Sequence, residues 1–260
     1  MKKPYIKIPG SVTAPKGFSA SGVFCDIKTL GTGKGSDKGL KKDLALIVSD
    51  QEAVVAGMFT TNQVKAAPVR WCLHRLASGK TRGVVINSGN ANACTGEKGV
   101  LDTKETASLT ASILGTTPDC IWVCSTGRIG LPLPMDRLRT GIDQAYHQLG
   151  STRKHATDAA EAILTSDARK KQIALEVQIG SSRVRIGGIC KGAGMIEPGM
   201  SVDGLSPAPR SALHATMLAF ITTDAKITQK ALQAAIEQAV ALSFNRISVD
   251  GDMSTNDTVM

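Results

Sequence analysis

Thr216 lies in HATMLAF (214–220), after a small residue and ahead of an apolar run that continues as ITTDAK. A threonine hydroxyl ionises far above neutral pH, so it attacks a carbonyl only where a base removes its proton. Without such a base it is an ordinary strand or core hydroxyl. Other stretches carry groups suited to acyl chemistry. CSTGRIG (124–130) ends an apolar run in Thr126–Gly127, where the glycine lets backbone approach a ligand and the threonine offers a hydroxyl and an N–H. Two such donors suit an oxyanion hole, and an ordinary strand-to-turn exit uses the same residue types. CKGAGMIEPG (190–199) sets Lys191 beside small residues that leave space. In a cleft that ammonium would hold a carboxylate or lower the pKa of a neighbouring nucleophile, and on the surface it is a solvated charge. In LTSDARK (164–170) the hydroxyls either cap a helix end or hydrogen-bond a ligand.

GVVINSGNANACTGEKG (83–99) runs from an apolar stretch into Asn87, Ser88, Gly89, Asn90 and Asn92. Such a loop can aim N–H groups and amides inward, although tight turns select the same residues. GTGKGSDKG (31–39) has the composition of a phosphate loop without the G-x-x-x-x-G-K-[ST] spacing, and reads as a basic loop. The four histidines lack metal-ligand spacing and none of the six cysteines forms a C-x-x-C pair, so the expectation is a metal-free mechanism and reduced thiols.

The elements that would position these groups follow from periodicity. Strands are expected at 44–49, 53–60, 83–88, 120–125, 173–179, 184–189 and 218–223, and helices at 102–114, 136–149, 155–165 and 228–242. In the last helix Thr228 can cap, and Ala231, Leu232, Ala235, Ile236, Ala239 and Leu242 recur at helical spacing as a face for a sheet. Strands and helices interleave without a regular βαβ cadence. Mixed sheets covered by helices, an α/β (α+β mixed) class, are therefore expected. Neither a repeat nor a linker divides the 260 residues, which read as a single domain. GMSVDGLSPAPRSALH (199–214) reads as an exposed loop ahead of Thr216, and the closing TVM begins like another strand.

Composition narrows the function class. With 42% hydrophobic and 20% charged residues the chain is of globular type, and no apolar run approaches the roughly 20 residues of a membrane span. The N-terminal lysines are followed by Pro4, Lys7, Pro9 and Gly10 rather than an apolar signal core, which points to a cytoplasmic protein. The net charge is +9; residues 1–130 hold 17 Lys and Arg against 9 Asp and Glu, and residues 131–260 hold 14 against 13. Scattered lysines with 3% aromatics do not make a nucleic-acid surface. They suit a solvated face or one that steers small anions.

Read in order, GVVINSGNANACTGEKG, CSTGRIGLPLPMDRL, LTSDARK, KGAGMIEPGM, ATMLAFITTDAKI and FNRISVDGDMSTNDTV closely resemble the ornithine acetyltransferases, or glutamate N-acetyltransferases, of arginine biosynthesis. GFSASGVFCDIK (17–28) and residues 43–70 resemble that family's N-terminal segment, so the likeness covers nearly the whole chain. It implies a two-sheet sandwich between helical layers, shared with the DmpA-type aminopeptidases. It also implies self-cleavage between Ala215 and Thr216, giving an α chain of residues 1–215 and a β chain that begins with Thr216 as nucleophile. The freed α-amine, with an ordinary pKa of about 8, would then be the base. By the same resemblance Thr126 and Gly127 form the oxyanion hole, and Thr165, Lys191 and Thr216 contact substrate.

The implied reaction moves acetyl from N2-acetyl-L-ornithine to L-glutamate, and some relatives also draw acetyl from acetyl-CoA. The implied assembly is an α2β2 heterotetramer. A threonine-nucleophile amidase or aminopeptidase, and an inactive fragment, are the alternatives. Two departures stand out. Residues 201–214 intervene where the family passes directly from a methionine like Met200 to the Ala-Thr pair, and family members continue beyond the NDTV segment with further substrate ligands. The chain is accordingly expected to be C-terminally truncated.

Overall fold

The structure is a computed structural model that describes residues 5–28, 41–205 and 217–260. Residues 31–39, whose composition suggested a basic loop, and most of the segment before Thr216 lie outside the described residues. Two sheets form the frame. One holds β2 (Phe18–Val23), β3 (Leu44–Val54), β5 (Lys80–Asn90) and β6 (Ile121–Arg128) in that order. The other runs β1 (Tyr5–Lys7), β7 (Lys171–Ile179), β8 (Ser182–Lys191), β9 (Leu218–Thr223), β10 (Thr258–Val259), β4 (Met58–Phe59). The β5–β6 and β9–β10 pairs are parallel and the other pairs antiparallel, as a mixed-sheet reading expects. The helices are α1 (Ala67–Arg75), α2 (Gly96–Leu114), α3 (Met135–His147), α4 (Arg153–Ala162) and α5 (Gln229–Leu242).

Alternation along the strands assigns the layers, because successive side chains point to opposite faces. Ala45 and Ile47 of β3, Ile86 of β5, and Trp122 and Cys124 of β6 face the interior shared with Phe59, Ile189, Leu218 and Phe220 of the other sheet. Phe59 stacks on Trp122 with ring centroids 6.4 Å apart, one side chain from each sheet. Leu44, Leu46, Val48, Val85, Ile121 and Val123 point the other way, onto Ala107 and Ala111 of α2 and Leu138 and Ile142 of α3. With both faces covered, LALIVS is buried throughout instead of alternating with polar residues. On the second sheet α5 covers Met58, Met217, Ala219 and Val259 with Ile236 and Val240, while Ile173, Ile179 and Ile221 stay exposed. The architecture is a two-sheet sandwich flanked by helices.

Several sequence expectations need correction. Residues 53–60 are not one strand: β3 ends at Val54 and the chain crosses to the other sheet as β4. Val54 is exposed and burial resumes at Val55, so an unbroken apolar run in the sequence hides the change of sheet, and the Gln233 side chain bonds both Gly57 N–H and Gly57 C=O at the turn. The helix expected at 155–165 stops at Ala162, which leaves Thr165 on the following turn. Thr228 does cap α5, accepting from Ala231 N–H at 3.3 Å. The sheet-facing stripe of α5, however, is Leu232, Ile236 and Val240, while Ala231, Ala235, Ala239 and Leu242 are exposed. Alanines fit either face, and the branched residues decide the packing. The short α1, opened by Pro68 in its first turn, was not foreseen.

Candidate active site

Parallel β5 and β6 end side by side. Ser88 pairs with Thr126 and Gly89 with Gly127, and then the register breaks, with Asn90 opposite both Thr126 and Arg128. Gly127 has φ +134°, and a Cβ there would lie 2.3 Å from the carbonyl carbon of Gly89. Only glycine meets both demands, so the turn after Thr126 has one fixed shape. The asparagine loop braces it. Asn87 accepts from Ser125 Oγ at 2.6 Å and donates to Asn90 C=O, while Asn90 donates to Leu131 and Pro132 C=O. Asn92 donates to Gly99 C=O and Thr103 Oγ1. These amides are committed to neighbouring backbone and hydroxyls, so the loop supports the site instead of contacting a ligand through them.

Lys191 ends β8 in the opposite sheet, 3% exposed, and its Nζ donates to Thr126 Oγ1 at 3.2 Å. Burial lowers this ammonium to about 8, against the pull of Asp167 and Asp257. A cation of that pKa near neutral pH retains its charge while desolvated, which strengthens its attraction for a carboxylate or a developing oxyanion. Lys191 pairs across the ladder with Leu218, two residues after Thr216. Ala215 and Thr216 themselves lie outside the described residues. Thr126, Gly127 and Lys191 are thus brought together beside the strand that begins just after Thr216.

Thr165 stands at the rim, exposed, with its N–H 3.5 Å from Asp167 Oδ2. The Asp167 side chain is fully buried and accepts from Gly192 N–H at 2.8 Å and from Lys171 Nζ at 2.5 Å. Burial raises its carboxyl, but Lys171, the Gly192 N–H and Lys191 outweigh that and hold it below its ordinary value. Asp167 therefore joins the Thr165 turn to the end of β8. Nothing in LTSDARK singles out Asp167, because a buried carboxylate has no local signature.

Asp257 was also missed. It is 1% exposed and accepts from Met217 N–H at 2.5 Å and Ser254 N–H at 3.2 Å. Burial pushes this carboxyl up to about 7, against the two N–H donors and Lys191. Lys28 is a further cation here: Lys28 Cα would lie 2.8 Å from a Cβ on Gly89. Burial lowers its ammonium to about 8. Among the described residues no three His, Cys, Asp or Glu side chains gather as a metal-binding group, and no helix is long and apolar enough to cross a membrane. A separate open groove of about 480 Å³, lined by Leu73, Leu76, Val202 and Gln229, contains none of the site residues. The chemically suited groups are those between the sheets: a rigid glycine turn, a buried hydroxyl, and a buried cation able to receive negative charge.

The ArgJ family model matches residues 20–260. The arginine biosynthesis bifunctional protein ArgJ of Parasynechococcus marenigrum (strain WH8102) is 45% identical over 262 residues, covering 100% of this chain and 58% of that protein. The chain therefore spans little more than half the length of that relative. Among solved structures, ornithine acetyltransferase of Mycobacterium tuberculosis complexed with ornithine is 41% identical with a TM-score of 0.67, covering 74% of this chain and 96% of that one. Arginine biosynthesis bifunctional protein ArgJ of Bacillus halodurans is 37% identical with a TM-score of 0.69, covering 76% and 98%. The two-sheet architecture is the one these structures share.

Proposed function

This chain belongs to the ArgJ family, and we propose that it forms part of a self-processing acetyltransferase that moves acetyl from N2-acetyl-L-ornithine to L-glutamate through Thr216. The observation that carries the reading is the contact of Lys191 Nζ with Thr126 Oγ1 at 3.2 Å, next to the strand that Thr216 leads into. In the unprocessed chain the Thr216 hydroxyl attacks the Ala215 carbonyl, its acyl group passes from nitrogen to oxygen, and water hydrolyses the ester. Residues 1–215 and a chain headed by Thr216 result. The α-amine so freed takes the hydroxyl proton in each later turnover.

Thr216 Oγ then attacks the acetyl carbonyl. Negative charge gathers on the carbonyl oxygen, where Thr126 and the Gly127 turn supply preorganised donors. Collapse expels ornithine, which takes up the proton, and leaves an acetyl ester on Thr216. Glutamate's amine attacks that ester and departs acetylated, which is a ping-pong cycle. Lys191 holds the carboxylate that donor and acceptor have in common, and Thr165 closes the rim above it. Every bond and proton is accounted for by Thr216 and its amine, so no step is assigned to a metal or resident cofactor. Acetyl-CoA is proposed as a second donor, forming the same ester with a thiol as leaving group. A cytoplasmic α2β2 heterotetramer of the two chains completes the proposal, with the excess basic charge of residues 1–130 favouring arrival of anionic glutamate.

Intact-mass analysis with acetyl-exchange assays tests this. The purified full-length protein should yield a fragment beginning at Thr216 and transfer acetyl in a glutamate-dependent way. Thr216→Ala should abolish both. An alanine variant that still cleaves and transfers would refute the threonine mechanism, and deacetylation unaffected by glutamate would make the protein a hydrolase.

A further inference from the structure

Ser254, Thr255, Asn256 and Asp257 form a polar run in which each residue is at most 1% exposed. Burying four polar side chains is costly unless each is hydrogen-bonded. Where those bonds go is informative. Asn256 Nδ2 donates to Ser125 C=O at 2.9 Å and to Ala91 C=O at 2.8 Å. Ser125 C=O belongs to the peptide unit that enters Thr126. The next residue, Asp257, receives Met217 N–H at 2.5 Å, and that N–H belongs to the peptide unit joining Thr216 to Met217. Backbone bonds reinforce the same link: Thr258 N–H donates to Met217 C=O at 3.0 Å, and Thr60 N–H to Asp257 C=O at 2.9 Å. Successive Cα atoms are separated by a fixed distance of about 3.8 Å. Neighbouring residues of one segment therefore grip two peptide units, one in β6 immediately before the proposed oxyanion turn and one leading into β9 immediately after the proposed nucleophile.

We propose that Asn256 and Asp257 are positioning residues that together set the placement of Thr216 against the Thr126–Gly127 turn. The inference rests on the acetyl-transfer reading and adds to it the device that aligns nucleophile with oxyanion donors across two separate sheets. A misplacement of about 1 Å in such a pair costs on the order of a hundredfold in rate. The device acts on chemistry more than on substrate capture, since neither residue is among those assigned to hold the carboxylate.

The test compares wild type, Asp257→Asn, Asp257→Ala and Asn256→Ala in the full-length protein by site-resolved amide hydrogen exchange and steady-state acetyl transfer. Asparagine keeps one oxygen for Met217 N–H but turns a donor toward Ser254 N–H, so it should fall between wild type and alanine. It also carries the test should the alanine variants fail to fold. For Asp257→Ala, Met217 should exchange about tenfold faster while β3 and β5 keep their protection. Its kcat should fall about a hundredfold with KM held within about twofold. Unchanged Met217 protection, unchanged kcat in a wild-type-active background, or loss of protection across both sheets would each overturn the inference. A wild type that neither transfers acetyl nor yields a Thr216 terminus overturns the acetyl-transfer reading instead, and the Met217 amide then decides the clamp alone.

Discussion

At the scale of the residue, Gly127 is the most exacting position. Its positive φ and the 2.3 Å approach to Gly89 leave no space for a methyl group, and the obstructing atoms are backbone. Gly127→Ala should therefore lower kcat on the order of a hundredfold by displacing the proposed oxyanion turn. It should also destabilise the fold by about 1–3 kcal/mol through strain, read from the urea midpoint. Thr126, Gly127 and Lys191 stand at strand ends followed by glycine or small residues, a local shape that also fits an ordinary turn or a surface charge, and it is the family resemblance that singles them out. Asp167 and Asp257 were not legible. Their importance comes from partners 25 and 40 positions away along the chain, Gly192 N–H and Met217 N–H. A lone aspartate in a polar stretch gives no hint that it is buried.

At the scale of the element, α5 separates period from packing. Ile236 is 8% exposed against Met58 and Val259, whereas Leu242 is 59% exposed. Ile236→Ala should cost about 2–4 kcal/mol by cavity formation. Leu242→Ala should stay within about 0.5 kcal/mol, as surface substitutions do, and a comparison of denaturation midpoints checks both. Periodicity showed the helix and its cap but not which alanine-bearing face would be covered. The strand limits show a similar gap. The ends of β5 and β6 extend past the apolar runs into Asn90 and Arg128 because the ladder continues through the buried polar residues Asn87, Ser88, Ser125 and Thr126. The shift from β3 to β4 hides inside an apolar stretch because nothing local distinguishes exposed Val54 from buried Val55.

At the scale of the whole molecule, stability should record the Asp257 proton. The folded chain holds it up to about 7, whereas an unfolded carboxyl releases it near about 4. Between those values the unfolded chain binds fewer protons than the folded one, so stability falls as pH rises through that window. Asp257→Asn has no such proton to lose. The unfolding free energy of wild type minus that of the variant should decline from pH ~4 to ~7 and then level off, as measured by urea denaturation across that range. Lys191 faces Asp257 and titrates at about 8, above most of this range. The layered class of the fold was readable from interleaved strands and helices. The pairing of elements distant in sequence was not, because nothing local records which strand edges meet.

The position of β10 between β9 and β4 shapes how a growing polypeptide would assemble. The sheet made of β2, β3, β5 and β6 has all its strands once residue 128 has been synthesised, whereas β4, made earlier, gains its sheet neighbour only with residues 258 and 259. A nascent chain would thus carry the strands of one sheet while β4, bridged at Phe59 only by Ser201, waits roughly 200 residues for its strand partner β10, a long-range closure of the slow kind. The same late event brings Asp257 to Met217. Met217 would then gain its Asp257 acceptor only after the turn at the ends of β5 and β6 is already in place.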